Sequence, residues 1–240
     1  MSLQQPGDLR KRAYGAIVGL AQLSWGVRSQ TDYMREPTVS FGPGPGPGPC
    51  PDPEAYSRVT NPERFLPLHT FALALLDRLT MEYDVIRTDA FTLMPNMTPF
   101  KQARPPVTLT PVAAEAAPVA IAFTTFPSLL VRYGKWSAMA LPSCGCDACA
   151  ATAEREAEQF EQLLGDVVAG RFREELRIPF FGRARIHWSF GDITRAGHLS
   201  GGGESLSRDQ ARLLDTRGPK RILWQSWPPR VQTKVRGAAV

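Results

Sequence analysis

The sequence predicts an α+β protein, with a small antiparallel sheet packed against two main helices and a disordered N-terminal arm in front. Three observations predict this class. Two stretches, around residues 62–81 and 147–170, repeat apolar residues at helical spacing. Between them lie short runs rich in Val, Thr, Ile, Phe and Leu, separated by Pro and polar breaks. Those breaks are too short for the crossovers of a parallel sheet, so the strands pair antiparallel. Strands grouped between helices, rather than alternating with them, argue for α+β over α/β.

The arm is expected to end in a linker. "FGPGPGPGPCPDPEAYS" (Phe41 to Ser57) alternates Pro and Gly. Pro lacks a backbone donor and Gly loses the most entropy on ordering, so neither helix nor strand forms there. The organisation that follows is residues 1–54 as arm and Gly-Pro linker, 55–230 as a single α+β domain, and 231–240 as a frayed tail. The opening "RKRAYGAIVGLAQLSWGV" has a basic cluster before an apolar stretch, the outline of a signal peptide. Gly15, Gly19, Gln22, Ser24 and Gly26 interrupt it, and no small-x-small cleavage site follows closely. No run approaches the roughly 18–20 apolar residues that span a bilayer.

The first helix is expected from Pro62 to Met81. Asn61 suits an N-cap, Pro62 the first helical position, and Glu63 the positive helix start. Phe65, Leu68, Ala72, Leu75, Leu76 and Leu79 make one apolar face. "PPVTLTPV", "APVAIAFTTFP" and "SLLVRYGKWSAMA" read as three strands, with "VIRTDAFTLMP" a candidate fourth. In the second of these, Val119, Ile121 and Phe123 share a face. The second helix, from about Asp147, carries Ala153, Ala157, Phe160, Leu164 and Val167 inward and stops at Gly170. Beyond it, "GRARIHWSFGD" alternates like a strand and "HLSGGGES" reads as a flexible turn. Ser207 with Gln210 forms a capping box before a short helix. "RILWQSWPPR" is expected to carry Trp224 or Trp227 into the core. In "GRFREELR", Glu174 and Arg177 are spaced for a helix-surface ion pair.

The totals bound the function. The chain has 240 residues, of which 43% are hydrophobic and 21% charged, within the globular range. The net charge of +5 is uneven: from Arg171 to Val240 there are 14 basic against 6 acidic residues. That part, with Trp188, Phe190, Trp224 and Trp227 among Arg183, Arg185, Arg221 and Arg230, has the composition of a nucleic-acid surface, without any recognised binding motif. Four cysteines in 240 residues exclude a disulfide scaffold and fit a reducing, cytoplasmic compartment. No P-loop, dinucleotide fingerprint, nucleophile elbow or zincin motif is present, so the chain reads as a binding or accessory domain rather than an enzyme.

The most distinctive chemistry is Cys144-Gly-Cys146-Asp-Ala-Cys149. Three thiolates within one turn can converge on a soft ion, and Gly145 gives the backbone freedom to aim them. Zinc would lie about 2.3 Å from each sulfur. The fourth ligand is open among Cys50, His69, His187, His198, Asp147 and water. Two alternatives stand beside the metal: a C-x-x-C redox pair of Cys146 and Cys149, and plain thiols filling a strand-to-helix corner.

Three pieces in order, "YSRVTNPERFLPLHTFALALLDRL", "PSCGCDACAATAEREAEQFEQLLGDVVAGRFREEL" and "WPPR", resemble a family of uncharacterised proteins common in actinobacteria. The resemblance runs from about Tyr56 to Arg230, and the Cys144–Cys149 block is its most specific part. It implies a single α+β domain and supplies neither substrate nor catalytic residues. The Gly-Pro linker and the first 40 residues look individual to this chain.

Overall fold

The structure is a computed structural model that describes residues 52–95, 97–149, 151–191 and 200–231. The expected arm, all but the last residues of the linker, and the tail beyond Val231 therefore lie outside the described residues. The α+β class holds, with two main helices and antiparallel strands. Those strands divide into two sheets rather than one.

Helix α1 (Leu66–Glu82) is entered through a 3-10 turn, Pro62–Phe65. Asn61 precedes that turn, but its side chain makes no capping bond. Pro67 falls in the first helical turn, where no backbone donor is missed. Helix α2 (Ala153–Val168) starts later than its pattern suggests. Thr152 takes an extended conformation and its hydroxyl accepts from the Arg155 N–H, so the helix begins there. Residues Asp147–Cys149 form a separate 3-10 turn before it.

The first sheet is a meander of five strands in sequence order: β1 (Val85–Thr88), β2 (Gln102–Pro111), β3 (Val119–Thr124), β4 (Leu129–Tyr133) and β5 (Ser137–Leu141). The stretch "SLLVRYGKWSAMA", which reads as one strand, folds back on itself at Gly134. There φ is +60°, and a Cβ would lie 2.5 Å from Glu174 Oε1. The second sheet is ordered β8-β7-β6-β9, from β6 (Phe172–Arg177), β7 (Ala184–Phe190), β8 (Ser200–Leu206) and β9 (Arg221–Leu223). A short helix α3 (Arg208–Arg212) follows β8, with both bonds of the Ser207–Gln210 capping box formed.

Two expectations fail in this second sheet. Residues 172–177 are a strand, so Glu174 and Arg177 are not helical neighbours. Arg177 instead forks onto Glu175, with bonds of 2.8 and 3.1 Å. "HLSGGGES" is not simply a turn, since Ser200–Leu206 pairs along β7. Its glycines admit a large ring, as a Cβ on Gly202 would come within 2.8 Å of Trp188 Cζ2.

One core cluster draws on both sheets and both helices. Leu68, Leu75 and Leu76 of α1 and Phe160, Leu164 and Val167 of α2 meet Val119, Ile121 and Phe123 of β3, with Phe172 and Phe190 from the second sheet. A smaller cluster holds Trp136, Leu176, Ile186, Leu206 and Ala211.

Glu174 joins the sheets through polar contacts. Its carboxylate accepts from the N–H groups of Lys135 and Trp136 at 2.6 and 2.9 Å, from the Ser137 hydroxyl at 3.0 Å and from Trp224 Nε1–H at 3.1 Å. Burial pushes this carboxyl above the usual range, while the four donors pull it back.

The segment after β9 straps the far end. Trp227 is buried and donates its indole N–H to the Ala117 carbonyl, while the Asp84 N–H donates to the Pro228 carbonyl. Gly170, at φ +71°, lets this strap pass, since a Cβ there would lie 2.5 Å from the Ser226 nitrogen.

Candidate metal centre

The three clustered cysteines sit between β5 and α2, on the loop and 3-10 turn that join them. Their sulfurs converge. Cys144 and Cys146 Sγ are 3.2 Å apart, as are Cys146 and Cys149 Sγ, and all three lie within 4.8 Å of one another. These spacings exceed the roughly 2.05 Å of a disulfide. Two of them are shorter than the edge of about 3.8 Å that follows for a tetrahedron with zinc–sulfur bonds of about 2.3 Å, and the third is no longer than 4.8 Å. Cys146 is buried, while Cys144 and Cys149 are exposed.

The loop is held from below and from one side. Beneath Gly145 lies the ring of Phe126, and a Cβ there would come 2.4 Å from Phe126 Cζ. This close approach explains the glycine between two cysteines better than conformational freedom does. From the side, the segment before α1 grips the turn. Asp147 accepts from Arg58 Nε at 3.2 Å and from the Thr60 N–H and hydroxyl at 3.0 and 3.2 Å. Its own N–H donates to the Arg58 carbonyl at 2.9 Å. Arg64 donates to the carbonyls of Gly145 and Cys146 at 3.0 and 3.3 Å.

The electrostatics separate the thiols. Hydrogen bonds with the Cys144 and Cys149 thiols, helped by the N–H groups of Cys149 and Ala148, hold the Cys146 thiol below its ordinary value. The reciprocal bonds with Cys146 and Cys144 push Cys149 up to about 12. The Asp147 carboxyl is held low, chiefly by the Thr60 N–H and then by Arg58. A cleft of about 420 Å³ opens beside the sulfurs, lined among others by Cys144, Cys149, Arg155, Glu156 and Gln159. Burial raises the Glu156 carboxyl, and its Oε2 has no hydrogen-bond partner among the described residues.

The candidates for a fourth ligand fare differently. Asp147 has both oxygens committed to Arg58 and Thr60, so it is a brace and not a ligand. His69 is buried in the core, with Nε2 3.0 Å from the Ser128 carbonyl and its ring edge-on to Phe123. Its Nε2 is committed there. His187 is exposed on β7, in the other sheet, opposite Glu175 and Gly203. Cys50 and His198 lie outside the described residues. Among the described residues, the three cysteines are the only cluster of metal-ligating side chains. Sequence reasoning missed Arg58, Thr60, Arg64 and Phe126. No local spacing marks them, because each reaches the loop from a distant part of the chain.

The model of a family of unknown function, DUF6226, matches residues 38–231. The chain belongs to that family. The DUF6226 match begins at residue 38, so the span it covers includes the Gly-Pro linker and Cys50. No curated protein and no solved structure matches the sequence. Among the described residues, no helix is long and apolar enough to cross a membrane.

Proposed function

We propose that this DUF6226 chain is a non-enzymatic binding or accessory domain, spanning residues 55–230 and working in the reducing cytoplasm. In this reading Cys144, Cys146 and Cys149 hold one zinc ion as a structural staple at the β5–α2 corner. The observation that carries the reading is the convergence of three sulfurs on a loop whose Asp147 carboxylate and Gly145 and Cys146 carbonyls are already tied to the scaffold. Soft thiolates in this number suit zinc, and a loop braced in advance loses less entropy when the ion binds.

In this reading Cys50, which lies outside the described residues, is put forward for the fourth position. The 3-10 turn Pro53–Tyr56 packs on the turn Asp147–Cys149. Cys50 stands three residues before Pro53, a reach of about 10 Å. A fourth thiolate from that side would close the site, as structural zinc sites are closed. The redox alternative gains less from the geometry, because Cys146, the thiol that would attack, is the buried one.

The test is elemental analysis of the full chain purified under reducing conditions. One zinc per chain is expected, lost in Cys144→Ser, Cys146→Ser and Cys149→Ser, and held more weakly in Cys50→Ser. A folded wild-type protein without metal overturns the reading. Full zinc affinity in Cys50→Ser overturns only the fourth-ligand assignment and gives that position to a water in the cleft.

A further inference from the structure

The hairpin between β6 and β7 ends in Ile178-Pro179-Phe180-Phe181-Gly182-Arg183, beyond the last paired residues Arg177 and Arg185. This tip presents its apolar side chains to solvent. Phe180 is 86% exposed, Phe181 78% and Ile178 50%. The two rings pack edge to face, with centroids 4.7 Å apart. The backbone carrying them is fixed: Arg208 donates to the Phe180 carbonyl at 2.9 Å, and Arg183 donates to the Ser205 side chain and carbonyl at 2.9 and 3.2 Å. The tip is therefore held outward by specific bonds, while its apolar surface finds nothing to cover it among the described residues. Exposed apolar surface concentrated in this way marks a contact site.

The surroundings identify what it contacts. Behind the tip stand Arg177 and Arg185 at the ends of β6 and β7, Arg183 in the loop and Arg208 at the start of α3, with Glu175 paired to Arg177 and Asp209 paired to Arg212. The four tip residues Ile178 to Phe181 carry no side-chain hydrogen-bonding group, so they cannot read a peptide or a base edge by polar contacts. The edge-to-face rings leave no parallel slot for a base. A convex apolar point with these arginines behind it matches an anionic bilayer surface, where the rings enter the acyl boundary and the guanidiniums meet headgroup phosphates.

We propose that the β6–β7 hairpin tip docks the protein onto anionic lipid bilayers, with Phe180 and Phe181 inserted and the arginines behind them on the phosphates. The proposal is independent of the metal centre. The test is co-sedimentation of the full chain with vesicles of phosphatidylcholine alone, and of an equal mixture of phosphatidylcholine and phosphatidylglycerol. Binding is expected to the mixed vesicles and to weaken with salt. The double variant F180S/F181S should bind about tenfold more weakly or worse. Arg185→Glu should bind several-fold more weakly, and both variants should melt like the wild type because these side chains are exposed. Should the double variant fail to fold, Arg185→Glu and the comparison of the two vesicle types still decide. Equal binding to both vesicle types, or by wild type and a folded double variant, overturns the proposal. So does wild-type binding to a single-stranded oligonucleotide, or self-association that F180S/F181S abolishes, in the absence of vesicle binding.

Discussion

Replacing Glu174 by Gln tests whether the buried carboxylate joins the sheets as its contacts indicate. The carboxylate accepts four hydrogen bonds between 2.6 and 3.1 Å, two on each oxygen. In Glu174→Gln one of those oxygens becomes an NH2 donor. Placed where Oε1 now lies, that group would confront the Lys135 N–H and the Trp224 indole N–H, leaving both unpaired. Placed at Oε2 it would confront the Trp136 N–H, while the Ser137 hydroxyl could turn and accept. The second arrangement is cheaper and leaves one buried donor orphaned, at about 1–3 kcal/mol. The bonds that survive weaken as they lose their charged acceptor, and relief of carboxylate burial offsets part of that loss. The net expectation is a destabilisation of about 2–4 kcal/mol, or roughly 5–15 °C in Tm for a domain of this size. Ser137→Ala, which removes one donor and leaves three, should cost about 1 kcal/mol. Urea unfolding followed by tryptophan fluorescence would read the midpoints at unchanged slope. A Glu174→Gln protein as stable as the wild type, or more so, would refute the reasoning. It would mean that burial of the charge costs as much as the four donors return.

Other outcomes follow from the same contacts. Gly170→Ala should destabilise by about 2 kcal/mol or more, because φ +71° disfavours an L side chain and the new methyl meets the Ser226 backbone; a Tm within a degree or so of wild type would contradict it. His69 is held below its ordinary value of 6.5, first by burial, so the folded protein binds its proton less tightly than the unfolded chain. Stability should therefore fall as pH drops below about 6.5 and through the depressed value, and His69→Gln should flatten that slope in pH-dependent melting curves. If the proposed zinc is held at the cysteines, a strong zinc chelator should lower the Tm. Zinc at a thousandfold over its Kd contributes about 4 kcal/mol, equivalent to roughly 8–16 °C, and restored zinc should recover it. No change on chelation of a zinc-loaded sample would show the ion to be peripheral.

What the sequence revealed depended on how far each signal reached along the chain. Helices α1 and α2 were legible because Leu68, Leu75 and Leu76, and Phe160, Leu164 and Val167, repeat at 3.6-residue spacing and each face is buried against one core. Strand β6 was not legible as a strand. Its inward residues are Phe172, Glu174 and Leu176, and the glutamate breaks the apolar alternation. It can sit there only because Lys135, Trp136, Ser137 and Trp224 supply donors, three of them 37 to 39 positions away and one 50. β8 was hidden for a different reason, since its glycines read as a turn until Trp188 is seen lying against them. The cysteine cluster was visible as spacing. Its bracing by Arg58 and Thr60, with Asp147 as their partner, spans up to 89 positions and leaves no local trace.

The strap at residues 224–230 bears on how this protein assembles during synthesis. Trp227 stacks edge-on against Tyr83, and Pro228 and Arg230 bond the backbone where α1 meets β1. Pieces made early are thus sealed by pieces made late, so the α1–β1 corner stays uncapped until those residues have emerged from the ribosome. A translating chain carries a greasy notch from the time this corner emerges until residue 230 follows it, and ribosome-associated chaperones have that interval in which to find it.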